Sequence, residues 1–161
     1  MEVSIIMGSD SDWNIMKKAV EVFKNFGVES EIIVASAHRT PEKVHDFVKN
    51  SDAKIFIAAA GMAAHLAGVV ASLTTKPVIG VPIKSEPFDG LDSLLSTVQM
   101  PSGIPVATVA VNGSKNAALL AVEILALSDK NLAEKLSDYR KNMAEEVEKK
   151  SEKIQAAFSE M

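Results

Sequence analysis

A chain of 161 residues is expected to form one domain with a sizeable core. With 47% apolar residues but a single Trp and a single Tyr, that core must be aliphatic. A net charge of -4 and a pI near 5.4 leave no basic face for a nucleic-acid polymer, although one Arg and a few amides can hold a small phosphate ester. The absence of cysteine excludes disulfides and thiolate metal sites and suits a reducing, cytoplasmic location.

Residues 3–7 read as a short apolar strand, close enough to the start that no signal peptide is expected. Gly8-Ser9-Asp10-Ser11-Asp12 ends it. Residues 13–26 carry Ile15, Met16, Ala19, Val20, Val22, Phe23 and Phe26 at helical spacing, and Gly27 stands where a helix stops. A second strand, 31–35, delivers the loop Ser36-Ala37-His38-Arg39-Thr40-Pro41, and Pro41 opens a helix to residue 50. Residues 55–73 are almost continuously apolar and near bilayer-spanning length. Gly61, His65, Gly68 and Ser72 interrupt them, however, and the run divides into a β-rich front and a helical back. A buried strand at 54–59 and a buried helix at 63–74 are expected, not a membrane span.

A fourth strand, 78–81, is expected to close at Pro82, with a helix at 90–98 and a fifth strand at 106–111. Asn112-Gly113-Ser114 then caps an Ala/Leu helix at 115–127. Strands that alternate with helices and are themselves short apolar runs predict an α/β fold with a parallel sheet covered on both faces. The specific expectation is a single three-layer, flavodoxin-like (Rossmann-like) domain over residues 1–128, with strand order 2-1-3-4-5. From residue 129 the character changes. Leu132, Leu136, Tyr139, Met143, Val147, Ile154 and Phe158 make a narrow stripe amid dense charge, with Glu145–Lys149 and Glu146–Lys150 at i,i+4. Residues 129–161 are therefore expected to form a helical tail that packs on a neighbouring subunit.

Ligands of open α/β sheets bind outside the carboxyl ends of the strands, and the polar motifs fall there. Ser9, Ser11 and Asp12 surround a helix N-terminus, which favours phosphate. Capping explains one such residue, not three in five positions. His38, flanked by Ser36 and Arg39, offers an imidazole near neutrality beside a two-point anion grip. These are expected to be a catalytic base or acid and its anion holder. The small residues Gly61-Met62-Ala63-Ala64 allow backbone to approach a ligand closely. His65 fits equally a satisfied core histidine or a substrate contact, and His45 reads as a surface residue. Three scattered histidines without spaced carboxylates do not make a metal site.

Taken together, Gly8-Ser9-Asp10-Ser11-Asp12, Ser36-Ala37-His38-Arg39-Thr40-Pro41, Ala60-Gly61-Met62-Ala63-Ala64-His65-Leu66, Gly80-Val81-Pro82, Asp92-Ser93-Leu94 and Gln99-Met100-Pro101 resemble the N5-carboxyaminoimidazole ribonucleotide mutase family of purine biosynthesis. Arg39 after His38 is similar to the mutase class; the class using CO2 directly tends to carry Lys there. Ala67 departs from the Pro that usually follows His-Leu. The resemblance implies transfer of a carboxylate from the exocyclic nitrogen to C4 of the imidazole, with His38 as proton shuttle. It also implies substrate contacts from Ser9, Ser11, Asp12, Ser36, Ala37, Arg39, Gly61, Ala64, His65 and Leu66. No metal, ATP or organic cofactor is implied, and the assembly implied is a homo-octamer.

Three alternatives share parts of this pattern. A phosphoacceptor receiver domain needs an Asp where this chain has Ala58-Ala59-Ala60, and a flavin carrier needs more aromatic rings than Trp13 and Phe88 provide. A carboxylase using CO2 directly and a non-catalytic phosphate-ester binding module remain open.

Overall fold

A computed structural model describes residues 1–161. Five parallel strands form one sheet in the order β2-β1-β3-β4-β5, as expected. They are β1 (Val3–Met7), β2 (Ser30–Val34), β3 (Ile55–Gly61), β4 (Val78–Ile83) and β5 (Ala107–Thr108). Six α-helices follow or flank them: α1 (Trp13–Phe26), α2 (Pro41–Asn50), α3 (Leu66–Leu73), α4 (Leu91–Val98), α5 (Ser114–Ala126) and α6 (Lys130–Ser159).

The central strands are apolar apart from Ser4, whose hydroxyl donates to Glu31 Oε1 at 2.6 Å, because helices cover both faces. On one face Ile6, Phe56, Ala58 and Val78 join Val44, Val48, Leu66 and Val70 of α2 and α3 in one buried cluster. The alternate residues Val3, Ile5, Ile55, Ile57 and Ile79 are equally buried and belong to the other face. Met16, Ala19 and Phe23 of α1 and Ala117 and Ala118 of α5 supply the buried side chains of that second layer. Ser114 Oγ donates to the Ile15 carbonyl at 2.6 Å, which ties the start of α5 to α1.

Helix boundaries follow local chemistry at α1 and α2. Gly27 ends α1 in the left-handed conformation at φ 74°, and Pro41 stands at the first turn of α2. Elsewhere the structure moves the expected limits. The second strand begins one residue earlier than expected, at Ser30, and as a sheet edge it is only half-buried. Strand β3 runs two residues past Ala59, and α3 begins at Leu66 instead of residue 63. Between them Met62 adopts φ 56°, which no helix accommodates.

Pro82 does not close β4; the strand continues through it to Ile83. Its carbonyl accepts from Asn112 N–H at 2.8 Å, so its missing N–H would point to that same side, beyond the end of β5. Pairing with β3 on the other side continues through Ile83. Strand β5 keeps only two of the six residues expected. Val109 N–H reaches the Gly80 carbonyl but Asn112, three residues on, reaches that of Pro82, only two residues on. One extra residue bulges out and ends regular pairing.

The chain forms two compact units, Met1–Ala121 and Val122–Met161, a division that falls inside α5. In the second unit Asp129 caps the 30-residue α6 by accepting the Leu132 N–H, and Arg140 pairs with Glu123. Glu145–Lys149 and Glu146–Lys150 lie at the right spacing, but no ion pair closes between these exposed side chains. No helix is long and apolar enough to cross a membrane.

Candidate active site

The loops at the carboxyl ends of β1, β2, β3 and β4 surround one cleft of about 930 Å³. The β1 loop is a single 3-10 turn, Asp10–Asp12, whose N-cap is Ser9. Ser9 N–H donates to Asp12 Oδ2 at 3.1 Å, and Ser11 Oγ donates to Ser9 Oγ at 2.9 Å. Ser9 Oγ also accepts the Ser11 N–H at 3.3 Å, so a capping box accounts for both Ser9 and Asp12, and Ser11 is the one of the three that capping leaves unexplained. Asp12 is 5% exposed, and burial pushes its carboxyl above the ordinary carboxylate range. The Ser9 amide, the Ser11 hydroxyl and the Arg39 charge pull the other way without reversing that shift.

The β2 loop is bonded to itself. Thr40 N–H reaches the Ser36 carbonyl at 2.9 Å, Ser36 N–H reaches Thr40 Oγ1 at 2.9 Å, and Arg39 N–H reaches Ser36 Oγ at 3.2 Å. That closed turn throws His38 and Arg39 outward. Arg39 Nη2 donates to the Gly8 carbonyl at 2.9 Å, so the guanidinium lies against the β1 loop. His38 turns toward β3, where its Nε2 lies 2.9 Å from Nδ1 of His65, with the two rings edge-on at 86°. One nitrogen of that contact carries the proton and the other accepts it.

His65 is therefore no core histidine. It is exposed, stands at the N-cap position of α3 without a side-chain cap bond, and joins the β3 loop to the β2 loop through His38. The turn before it is pinned from a distance. Met62 N–H donates to Ser85 Oγ at 3.2 Å and Ala64 N–H to Ser96 Oγ at 3.1 Å, while Ser96 Oγ also lies within reach of the carbonyls of Met62 and Asp92.

Of the residues expected at the site, Ser9, Ser11, Asp12, Ser36, Ala37, His38, Arg39, Gly61, His65 and Leu66 all line this cleft. Ala64 does not: it is 2% exposed and its amide is engaged with Ser96. His45 stands outside, paired with Asp46 on the surface. The structure adds Asn14, Lys84, Ser85, Glu86 and Asn112, none of which the sequence reading had placed there. Lys84, Ser85 and Glu86 directly follow β4, so continuing that strand past Pro82 would have found them. No three His, Asp or Glu side chains gather as a metal-binding group.

The arrangement offers an anion seat at Ser9, Ser11 and Arg39, a buried carboxyl beside it, and a hydrogen-bonded imidazole pair further along the same cleft. The chain is similar to known proteins over nearly its whole length. The AIR carboxylase family model matches residues 2–146. An N5-carboxyaminoimidazole ribonucleotide mutase of Methanocaldococcus jannaschii is 61% identical over 156 residues, covering 97% of this chain and 99% of the relative. A chloroplastic phosphoribosylaminoimidazole carboxylase of Vigna aconitifolia is 49% identical over 156 residues, covering 95% of this chain but 28% of that longer protein. The crystal structure of a Treponema denticola PurE2 variant superposes with a TM-score of 0.86 at 35% identity, covering 95% of this chain and 98% of the other. A match of this length and identity, over the same cleft-bearing sheet, makes the chain a member of the AIR carboxylase family.

Proposed function

We propose that this chain is an isomerase of purine biosynthesis, converting N5-carboxyaminoimidazole ribonucleotide to 4-carboxy-5-aminoimidazole ribonucleotide. The observation that carries the reading is the gathering of the Ser9–Ser11–Arg39 seat and the His38–His65 pair in one cleft. Ser9, Ser11 and Arg39 hold the phosphate, with Ser36 and Ala37 alongside, and Asp12 accepts ribose hydroxyls. The carbamate C–N bond breaks, its electron pair stays on nitrogen, and His38 delivers a proton there. The freed CO2 is retained against the small-residue turn from Ala60 to Ala64, with Gly61 and Leu66 at its wall. C4 of the ring attacks it, and His38 takes the proton that C4 loses. The imidazole ends as it began, so the net change is one carboxylate and one proton exchanged between nitrogen and carbon. Positioned proton transfer of this kind contributes roughly 10²–10⁴-fold, and holding CO2 in place makes recapture effectively intramolecular.

Residues 1–128 form the catalytic domain in this reading, and 129–161 form the tail. Met143, Val147, Ile154 and Phe158 of α6 are 49–78% exposed. Their spacing of four, seven and four residues keeps them near one side of the helix, which supports packing on a neighbouring subunit in a homo-octamer. The partners assigned are the ribonucleotide and further copies of the chain, with no nucleic-acid polymer and no membrane. The reaction needs no cofactor, and the location assigned is cytoplasmic.

A second reading, carboxylation of aminoimidazole ribonucleotide by CO2 directly, is favoured by the name of the plant relative. Supplying either the carbamate or aminoimidazole ribonucleotide with bicarbonate separates the two. Fast turnover of the carbamate at low bicarbonate supports the mutase. Turnover that appears only with added bicarbonate, and in proportion to it, overturns it in favour of the carboxylase.

A further inference from the structure

Lys84 lines the cleft yet has no part in the reaction described above. It and Arg39 are the two Lys or Arg side chains among the lining residues, and they stand on different loops. Arg39 is committed to the Gly8 carbonyl beside Ser9 and Ser11. The backbone of Lys84 is held just as firmly. Its N–H donates to Asn112 Oδ1 at 2.9 Å, and the Asn112 N–H in turn donates to the Pro82 carbonyl at 2.8 Å.

The side chain is held only loosely. Its ammonium meets Asp89 Oδ1 at 2.9 Å, with the lysine side chain 54% exposed and the aspartate 78% exposed. A pair so open to water contributes little and can exchange one carboxylate for another. Asp89 itself is not among the lining residues; the acidic side chains that line the cleft are Asp12 and Glu86. A ligand with two separate anionic groups therefore meets two cations: one at the hydroxyl-rich β1 loop, and one on a flexible stem rooted in a rigid backbone.

We propose that the Lys84 ammonium is the second anion site, leaving Asp89 to pair with the carboxylate that the reaction transfers. This assignment rests on the ribonucleotide reading above and adds to it a residue that distinguishes carboxylated from uncarboxylated nucleotide. Asp89 acts as a placeholder that keeps the ammonium near the cleft.

Calorimetric titration of the full chain with aminoimidazole ribonucleotide and, separately, with its 4-carboxylate tests it. Lys84→Met is expected to weaken the carboxylated nucleotide roughly tenfold and to leave the uncarboxylated one within about twofold, the loss of one charge-assisted hydrogen bond. Lys84→Arg restores most of that affinity, and Asp89→Asn, which removes the competitor, leaves the carboxylate bound as tightly or more so. Equal weakening of both nucleotides by Lys84→Met, or weakening of neither, overturns the assignment while leaving the functional reading intact. Failure of the unaltered chain to bind either nucleotide overturns the functional reading and this assignment with it.

Discussion

Replacing Ser96 by Ala is the sharpest probe of the turn proposed to retain CO2. Ser96 Oγ is the acceptor for Ala64 N–H at 3.1 Å, and Ala64 is 2% exposed, so the deletion orphans a buried amide. Leaving such a group unpaired costs about 1–3 kcal/mol. For a chain of this size that lowers Tm by about 2–12 °C. Opening of the 62–64 turn, which lets water supply the missing bond, relieves the same penalty. Expressed wholly as opening, it multiplies the open population roughly 5- to 150-fold. The assay starts from carbamate labelled in its carboxylate and measures how label divides between the C4 product and dissolved bicarbonate. The Ser96→Ala chain is expected to lose several times more label to the medium, with nucleotide binding nearly unchanged because Ser9, Ser11 and Arg39 are untouched. A lowered Tm with unaltered partition of label refutes the reasoning and makes Ser96 a purely structural clamp.

Asp12→Asn tests the buried carboxyl beside the phosphate seat. Because burial raises its native pKa above the ordinary value of 3.8, the folded chain holds this proton more tightly than the unfolded one. Stability from this group therefore falls as pH rises through that interval, so the variant should gain on the parent with rising pH in denaturant titrations. A flat or opposite difference contradicts this. Gly80→Ala should cost about 1–3 kcal/mol: its new methyl would collide with Thr97 Cγ2 and lie 2.9 Å from Val106 Cγ1. An unchanged Tm would show that α4 yields freely. Met143→Glu with Val147→Glu on the exposed stripe of α6 should lower the assembly mass in sedimentation while helix content holds. An unchanged mass removes the tail from the interface.

The parts of the fold legible in the sequence are those whose signals are local. Gly27 and Pro41 mark helix ends by their own backbone preferences, and the limits of α1 and α2 follow from them. The β3–α3 junction was hidden inside one apolar run. What divides it is the positive φ of Met62 and two serine hydroxyls 23 and 32 residues away in sequence from the amides they accept. Pro82 read as a strand end because its missing N–H ordinarily breaks pairing; here that N–H would face the β5 side, and the strand continues through its pairing with β3. The bulge that shortens β5 likewise depends on which carbonyls of β4 are within reach.

The site divides along the same line. Ser9, Ser11, Asp12, His38 and Arg39 could be placed because strand ends in a parallel sheet lie together whatever the details. His65 could not be decided, since a neighbour in an apolar run suits a core residue and a ligand contact alike. Its bond to His38 spans 27 residues and becomes visible only once β1 lies between β2 and β3. Lys84 and Asn112 were illegible for a similar reason, as their hydrogen bond joins the loops after β4 and β5.

The proton relay at His38 is tested most directly by measuring turnover of the carbamate and affinity for the product side by side in the His38→Asn chain. The account predicts turnover reduced by about 10²–10⁴-fold with affinity held within about threefold. Turnover that survives the substitution, or that falls only as far as binding falls, contradicts it.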